Sequence, residues 1–293
     1  MTYSSKGTRI FLLKNRSASA RQPAEALSRN MSRFRQTVWR YYWVHGRHDL
    51  PWRHTHDPYH ILVSEVMLQQ TQVERVIPFY KKFIKKFPTA KSLAIAPLSK
   101  VLKAWQGLGY NRRAKMLHTV AKKFAATRPN LVAELEKLPG VGPYTARAVA
   151  AFAYNQSVVL IETNIRTAVI HRFFSKKRKV SDKEIEKILK RTLPKGTSRE
   201  WYSALMDYGA YLKRSSISHN ARSKKYVKQS KFAGSLREAR GAILRELTKR
   251  AASYARLVNL LGTARRTQMR TALQALGMEK LLERRGTKYT LAD

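Results

Sequence analysis

The spacing of apolar residues predicts a run of amphipathic helices between residues 33 and 212. Apolar side chains recur at intervals of three and four residues, which is the period of one helix face. Proline and glycine mark the boundaries between the periodic segments, and no long alternation with a period of two residues is present. The clearest segments are 61–84, 98–105, 114–124, 146–154, 163–174 and 201–212. This pattern predicts an all-α domain.

The composition changes after residue 212. Residues 213–234 are polar and basic, and we interpret them as a loop or a mobile connection. Beyond this loop the pattern predicts three helices and then a short hairpin around Gly286, over 235–251, 252–261, 267–276 and 281–292. Three helices followed by a hairpin are typical of a small winged-helix-like domain, here residues 235–293. Such domains bind either DNA or protein partners.

The charge balance favours a polyanionic partner. The 293 residues include 59 Lys and Arg against 18 Asp and Glu, which gives a formal net charge of +41. We expect double-stranded DNA, because neutralising phosphates releases counterions and drives binding. An anionic membrane is the alternative, but no apolar run approaches the ~18 residues of a spanning helix. A ribosome-associated protein or an unusually basic proteome would show a similar charge.

Residues 1–34 are rich in Arg and Ser, and Glu25 is their only acid. We predict a disordered basic arm that contacts DNA, in preference to an organellar transit peptide of similar composition. On this interpretation the protein, if it is prokaryotic, belongs in the cytoplasm or nucleoid, and organellar targeting by the N-terminal segment is the alternative. The sequence has no cysteine, and its eight His show no metal-ligand spacing. Disulfides and thiolate metal sites are therefore excluded, and we expect no metal.

The segment 138–154, LPGVGPYTARAVAAFAY, carries the strongest binding signal. Gly140 and Gly142 flank Val141 and permit a tight turn whose backbone N–H groups point outward. The helix that follows adds the positive end of its dipole. Leu138 and Val141 are expected to anchor the turn in the core. We therefore predict a site for one DNA phosphate, and an ordinary glycine-capped connection between helices is the alternative.

LPGVGPYTA resembles the hairpin of the helix-hairpin-helix DNA glycosylases, and two other segments are similar to the MutY-type adenine DNA glycosylases. These are residues 50–89, which contain SEVMLQQTQV, and residues 105–118, WQGLGYNRRAKMLH. The likeness covers residues 35–215. It implies two helical subdomains within residues 35–212, with the active site between them. It also implies a monomeric repair enzyme that hydrolyses the N-glycosidic bond of a flipped-out adenine opposite 8-oxoguanine or guanine.

Hydrolysis of this bond needs a proton on the leaving base and a negative charge beside the sugar cation. The resemblance assigns the proton to Glu65, whose neighbours in SEVMLQQ are mostly apolar and favour a protonated carboxyl group. It assigns the negative charge to Glu162, where the family usually has Asp, and the positioning of water or substrate to Asn164. Tyr144 stands where bifunctional relatives have a nucleophilic lysine. We therefore predict a monofunctional hydrolase that leaves an abasic site.

Each of these catalytic assignments has a purely structural alternative. Glu65 could be a surface acid on an amphipathic helix, Glu162 a helix-capping acid, and Tyr144 a packing aromatic. We also expect Thr163 or Asn164 to cap the helix that begins there.

Other residues match family positions around the flipped base and along the DNA. The base pocket and wedge residues implied by the resemblance are Trp52, Arg53, Leu68, Gln69, Gln70 and Tyr110. Trp52 could instead be a core aromatic and Arg53 a surface cation. The expected DNA contacts of the hairpin are Leu138, Gly140, Val141, Gly142 and Thr145. We also expect phosphate contacts from Arg112 and Arg113, which follow GLGYN. In the loop where relatives bind a cluster, we expect direct phosphate contacts to replace it, made by Lys213, Arg214, Arg222, Lys224 and Lys225.

The chain departs from the family pattern in two places. Lys213, Asn220 and Ser223 stand near the positions of cluster-binding cysteines, so an iron–sulfur cluster cannot form and the chain resembles the clusterless members. Beyond an optional monovalent cation at the hairpin in the DNA complex, we expect no cofactor. Residues 235–293 are too short for the Nudix-like domain that reads 8-oxoguanine in relatives. The alternatives are a thymine or uracil mismatch glycosylase and a noncatalytic DNA-binding protein of the same fold.

Overall fold

The computed structural model describes residues 6–127, 129–224 and 231–293, with the side chains of the first helix described from residue 25 onward. These residues form two compact units. The first unit runs to Arg47, resumes at Ile161 and continues to residue 224. The second comprises His48–Leu160 together with residues 231–293. None of the helices in these ranges is long and apolar enough to cross a membrane.

Helices account for most of the described chain, which confirms the all-α prediction for the main domain. In chain order they are α1 (Lys6–His45), α2 (Pro58–Leu68), α3 (Val73–Lys86), α4 (Ala90–Ala94), α5 (Leu98–Trp105), α6 (Arg112–Thr127), α7 (Val132–Glu136), α8 (Pro143–Tyr154), α9 (Thr163–Phe173), α10 (Asp182–Thr192), α11 (Ser198–Arg214), α12 (Leu236–Leu247), α13 (Tyr254–Val258) and α14 (Arg266–Met278). The strands are β1 (Ala252–Ser253), β2 (Leu282–Arg285) and β3 (Lys288–Leu291).

The predicted segment 61–84 is divided into two helices, α2 and α3. Gln70, in the connection between them, has a φ of 57°. This left-handed conformation is incompatible with a continuous right-handed helix. The apolar period therefore continues through a break that periodicity alone does not reveal.

The first unit is held together by aromatic side chains from three helices. The Phe34 ring of α1 lies edge-on to Phe173 of α9 and to Trp201 of α11, with centroid distances of 5.1 and 6.2 Å. Edge-to-face pairs at such distances add to the free energy gained from apolar burial. Tyr42, farther along α1, is also buried.

The N-terminal part of the chain differs from its prediction. We predicted disorder up to residue 34, whereas residues 6–45 belong to α1, and Met31 and Phe34 are already buried. Met31, Phe34, Val38 and Tyr42 are spaced by three, four and four residues, which is a helical period that begins inside the predicted arm. A basic composition does not oppose a helix, because Arg and Ala are good helix formers. Residues 1–5 lie outside the described residues.

In the second unit, α7, a turn over residues 137–142 and α8 form a helix–hairpin–helix. The α8 helix packs against α2, most of whose residues are buried, and α2 also contacts α3 and α6. This packing places one face of α8 against the helix that carries Glu65.

The C-terminal part has the predicted winged-helix-like arrangement, with one additional strand. Its order is α12–β1–α13–α14–β2–β3, and the antiparallel sheet has the strand order β1-β3-β2. Residues 252–261 were predicted to be helical throughout, but β1 pairs Ala252 with Tyr289 before α13 begins. The side chain of Ser253 accepts a hydrogen bond from the backbone N–H of Arg256 and so starts α13 after the strand. This part belongs to the second unit, where Lys115 of α6 donates to the backbone carbonyl of Glu279.

Candidate active site

Glu65 and Tyr144 come together in the second unit. Glu65 lies on α2 with 6% of its surface exposed. The Tyr144 hydroxyl, in the first turn of α8, donates a hydrogen bond to Oε2 of Glu65 at 3.0 Å. A carboxyl group so removed from water requires a hydrogen-bond partner or a proton. The predicted acid is therefore buried rather than on a surface, and Tyr144 bonds to it as well as packing.

A second contact joins the same two helices. The Gln69 side chain, at the C-terminal end of α2, donates to Oγ1 of the buried Thr145 at 3.4 Å. Gln69 and Thr145 were predicted as pocket and DNA-contacting residues. The contact fixes the end of α2 beside the start of α8.

The predicted wedge and pocket residues differ in their exposure. Gln70 is exposed and Tyr110 half-buried, and both have left-handed backbones with φ of 57° and 49°. Left-handed non-glycine residues store strain and are enriched at functional sites. Arg53 and Leu68 are half-buried. Trp52 is 7% exposed and lies edge-on to Tyr80 at 5.4 Å, which agrees with the core-aromatic alternative.

The hairpin turn requires only one of its two glycines for its conformation. Gly140 has a φ of 81°, and a Cβ there would overlap the Met116 side chain. Gly142 has a φ of −82°, and no atom outside its neighbours lies within 4 Å of a Cβ built on it. Leu138 and Val141 are buried and anchor the turn, as expected. The missing side chain at Gly142 therefore leaves open space at the N-terminus of α8.

Glu162 caps α9 in the first unit. Its Oε1 accepts hydrogen bonds from the backbone N–H groups of Asn164 and Ile165 at 2.7 and 2.8 Å. We expected Thr163 or Asn164 to be the cap, and the structure assigns that position to Glu162 itself. Thr163 instead donates its hydroxyl to Oε2. The longer side chain folds back on the N-terminus of the helix, where its carboxylate caps two backbone N–H groups.

Asn164 has a partner that the sequence did not indicate. The ammonium group of Lys213, in the last turn of α11, donates to Oδ1 of Asn164 at 2.7 Å. Lys213 was predicted to contact a phosphate, but its side chain is half-buried and its ammonium group bonds to Asn164. Burial lowers the pKa of Lys213, while the negative charge of Glu162 acts in the opposite direction.

Arg113, which was predicted to contact a phosphate, bonds within the protein. Its guanidinium is buried and donates to the carbonyl oxygens of Val66 and Met67 at 2.9 Å, at the C-terminal end of α2. Further bonds join it to Gln69 and Thr71. Burial lowers the pKa of Arg113 to about 10, so it stays charged at neutral pH. The carbonyl groups of a helix end attract such a cation.

Arg222 is likewise engaged within the protein rather than presented to DNA. It donates to the carbonyl oxygens of Ser175 at 3.2 Å and Lys177 at 3.0 Å, and to that of Phe174, just beyond α9. These bonds connect the loop after α11 to the end of α9. The remaining predicted basic contacts that are exposed are Arg112, Arg214 and Lys224. Lys225 lies outside the described residues.

Within the described ranges, no group of three or more His, Asp or Glu is arranged to hold a metal ion. The second unit contributes a buried carboxyl bonded to a phenol. The first unit contributes a carboxylate on a helix N-terminus and a carboxamide held by an ammonium group.

Residues 63–195 match the family described as HhH-GPD superfamily base excision DNA repair protein. The chain belongs to this superfamily, since it is also 30% identical over 179 residues to one of its glycosylases and covers 80% of that protein.

That relative is the thymine/uracil-DNA glycosylase of Methanothermobacter thermautotrophicus, and the alignment covers 58% of this chain. The chain is 41% identical over 187 residues to the adenine DNA glycosylase of Buchnera aphidicola subsp. Baizongia pistaciae, covering 61% of this chain and 52% of that protein. It thus spans about half the length of the curated adenine relatives. The solved structure of a thermostable thymine-DNA glycosylase aligns with a TM-score of 0.58 and 30% identity, over 63% of this chain and 88% of that one.

Proposed function

We propose that this protein is a monofunctional DNA glycosylase that removes adenine mispaired with 8-oxoguanine or guanine and leaves an abasic site. The observation that carries the proposal is the buried Glu65 carboxyl bonded to Tyr144 on the hairpin helix. A purine is a poor leaving group unless it is protonated, so a shielded carboxylic acid fits this reaction. Similarity to adenine DNA glycosylases supports the choice of base.

In the proposed reaction the adenine is flipped out of the duplex. Glu65 donates its proton to a ring nitrogen of the base, and the glycosidic bond breaks with its electron pair going to the base. The ionised Glu162 stabilises the sugar cation. Water then adds to the sugar carbon and loses a proton, and uptake of one proton restores the acid form of Glu65. Asn164 orients that water or the sugar.

Tyr144 determines which product forms. A phenol cannot form the Schiff base by which an amine nucleophile leads to strand cleavage. Its hydrogen bond to Glu65 gives it another role, since it fixes the orientation of the carboxyl group. Hydrolysis without strand cleavage is the outcome we propose.

DNA is the proposed partner, and the protein is proposed to act as a monomer on a duplex with a mispaired base. The formal charge of +41 and the open space at Gly142 support phosphate binding at the start of α8. If the source is a prokaryote, we place this activity in the cytoplasm or nucleoid.

A thymine or uracil mismatch glycosylase is the second candidate. It is favoured by one observation, namely that the chain covers 80% of such a relative but only about half of the adenine relatives. Excision of a pyrimidine opposite guanine depends less on protonation of the leaving base by an acid such as Glu65.

A panel of duplexes tests these functions. The protein is incubated with duplexes that contain A:8-oxoG, A:G, T:G or U:G, and the strands are analysed before and after alkali. We expect breaks only at the adenine mispairs and only after alkali. Breaks confined to T:G or U:G support the second candidate, binding without breaks indicates a noncatalytic protein, and breaks before alkali contradict the monofunctional mechanism.

The variant Glu65→Gln tests the acid on whichever duplex is cleaved. We expect the single-turnover rate constant to fall by about 10²–10⁴-fold, the usual contribution of a general acid, with little change in DNA affinity. Glu136→Gln is the matched control, because Glu136 is exposed at the end of α7. A Glu65→Gln variant that turns over at the wild-type rate would remove Glu65 from this role.

A further inference from the structure

Helix α11 contacts Asn164 at two points that are one turn apart. Gly209 and Lys213 are separated by four residues and so lie on the same face of the helix. A Cβ at Gly209 would overlap the backbone carbonyl of Asn164, so the two backbones are in direct contact. At the second point, Nζ of Lys213 lies 2.7 Å from Oδ1 of Asn164. The first contact fixes the backbone of Asn164, and the second fixes its side chain.

The charges around Lys213 link it to Glu162. The Glu162 carboxylate accepts the backbone N–H of Asn164, and Lys213 donates to the side chain of the same residue. The nearby cation Arg166 forms a two-point ion pair with Asp182, with N–O distances of 2.8 and 2.9 Å. Lys213 therefore places a positive charge near Glu162, while the charge of Arg166 is paired with another carboxylate.

We propose that Lys213 is a positioning residue for the hydrolytic step, which it serves by fixing the orientation of Asn164. With the carboxamide oxygen engaged by Lys213, the donor end of Asn164 is the end left to orient water or the sugar. A carboxamide that rotated freely would present its oxygen and nitrogen interchangeably. This inference rests on the proposed function, because it assigns Asn164 to the reaction.

Three variants test the inference, in single-turnover assays on the duplex that the wild type cleaves. We expect Lys213→Met to lower the rate constant at least tenfold and to leave the dissociation constant for DNA within twofold. Lys213→Arg keeps the charge and the donor, so it should recover most of the rate. Lys187→Met is the control, because Lys187 is an exposed cation on α10 of the same unit.

A phosphate-binding role for Lys213 predicts a different pattern. In that case Lys213→Met would weaken DNA binding and reduce the slope of log affinity against log salt by about one. This result, or a wild-type rate constant in Lys213→Met, would overturn the inference. Wild-type protein that cleaves no duplex would instead refute the proposed function, so the two failures are distinguishable.

A double-mutant cycle with Asn164→Ala separates positioning from a general loss of structure. If Lys213 acts through Asn164, replacing Lys213 should have little further effect once the carboxamide is absent. An equal loss of rate in both backgrounds would show that Lys213 does not act through Asn164. Lys213→Leu has no donor and keeps part of the apolar stem, so it replaces Lys213→Met if the latter does not fold.

Discussion

Arg112 and Arg113 are neighbours at the start of α6, yet only Arg112 is exposed. The Arg113 guanidinium is enclosed by carbonyl oxygens at the end of α2, where its planar array of donors serves several acceptors at once. Such a cation maintains the fold, whereas the exposed one is available to a phosphate. The two residues therefore offer a matched pair for separating stability from DNA binding.

We expect Arg113→Lys to lower the free energy of unfolding by about 1–3 kcal/mol, because one ammonium cannot satisfy the buried carbonyl groups. Arg112→Lys serves as its control for stability and should unfold like the wild type. For DNA binding, Arg112→Ala should lower affinity and reduce the salt slope by about one. Chemical denaturation and binding titrations at several salt concentrations measure these effects. Equal stability of the Arg113→Lys variant would contradict the structural role.

At the scale of single residues, the sequence predicts which residues are reactive better than it predicts the partners of individual cations. The SEVMLQQ and LPGVGPYTA motifs indicated Glu65 and Tyr144, which the structure joins by a hydrogen bond. Lys213 and Arg222 were assigned to DNA because their basic loop stands where relatives bind a cluster, but both bond within the protein. Their partners are carbonyl and amide oxygens that are distant in sequence, and charge counting cannot reveal them.

The hairpin between α7 and α8 contains two glycines with different requirements. Gly140 needs its left-handed backbone and has no room for a side chain, whereas Gly142 has an ordinary conformation and open space. A glycine that the fold does not require is informative, because it leaves backbone N–H groups accessible to a phosphate.

We expect Gly140→Ala to destabilise the protein by at least about 1–2 kcal/mol, which is the cost of a left-handed alanine. Gly142→Ala should change the unfolding free energy by less than about 1 kcal/mol, while lowering DNA affinity severalfold. Thermal unfolding and fluorescence anisotropy with a labelled duplex measure the two quantities. Unchanged DNA affinity in Gly142→Ala would argue against a phosphate at this turn.

Among the helices, periodicity was most informative where one face alone is buried. The prediction for 98–105 coincides with α5, in which Val101, Leu102 and Trp105 are buried. Periodicity did not reveal the junction of α2 and α3, because most residues of α2 are buried and its apolar residues are not confined to one face. The break there depends on the backbone of Gln70, which hydropathy does not report.

At the scale of the whole molecule, the division into two units was only partly predictable. The sequence indicated two helical subdomains and a C-terminal domain, but not that residues 161–224 share a unit with α1. That association depends on contacts such as Phe34 with Trp201, whose partners are far apart in the chain. The grouping of residues 231–293 with His48–Leu160 was also not predicted.

This grouping gives the C-terminal domain a direct contact with a predicted wedge residue. Arg237, in the first turn of α12, donates from Nη1 to the Tyr110 hydroxyl at 2.6 Å. Its guanidinium also lies 5.7 Å from the centroid of the Tyr110 ring, and that of Arg113 lies 5.2 Å from it. Cations on an aromatic ring and a bond to its hydroxyl hold the ring in one orientation. The C-terminal domain therefore helps to set the position of Tyr110.

We expect Arg237→Ala to reduce extrusion of the target base, because an ordered wedge loses less conformational entropy on insertion than a mobile one. The measurement is the fluorescence increase of 2-aminopurine placed beside the target adenine, with an expected reduction of severalfold. Arg245→Ala is the control, since Arg245 is exposed on the same helix. Tyr110→Phe removes the hydroxyl, so combining it with Arg237→Ala should give less than the sum of the two separate effects. Full additivity would mean that Arg237 acts on DNA directly, and the C-terminal domain would then serve as a second binding surface instead of a support for Tyr110.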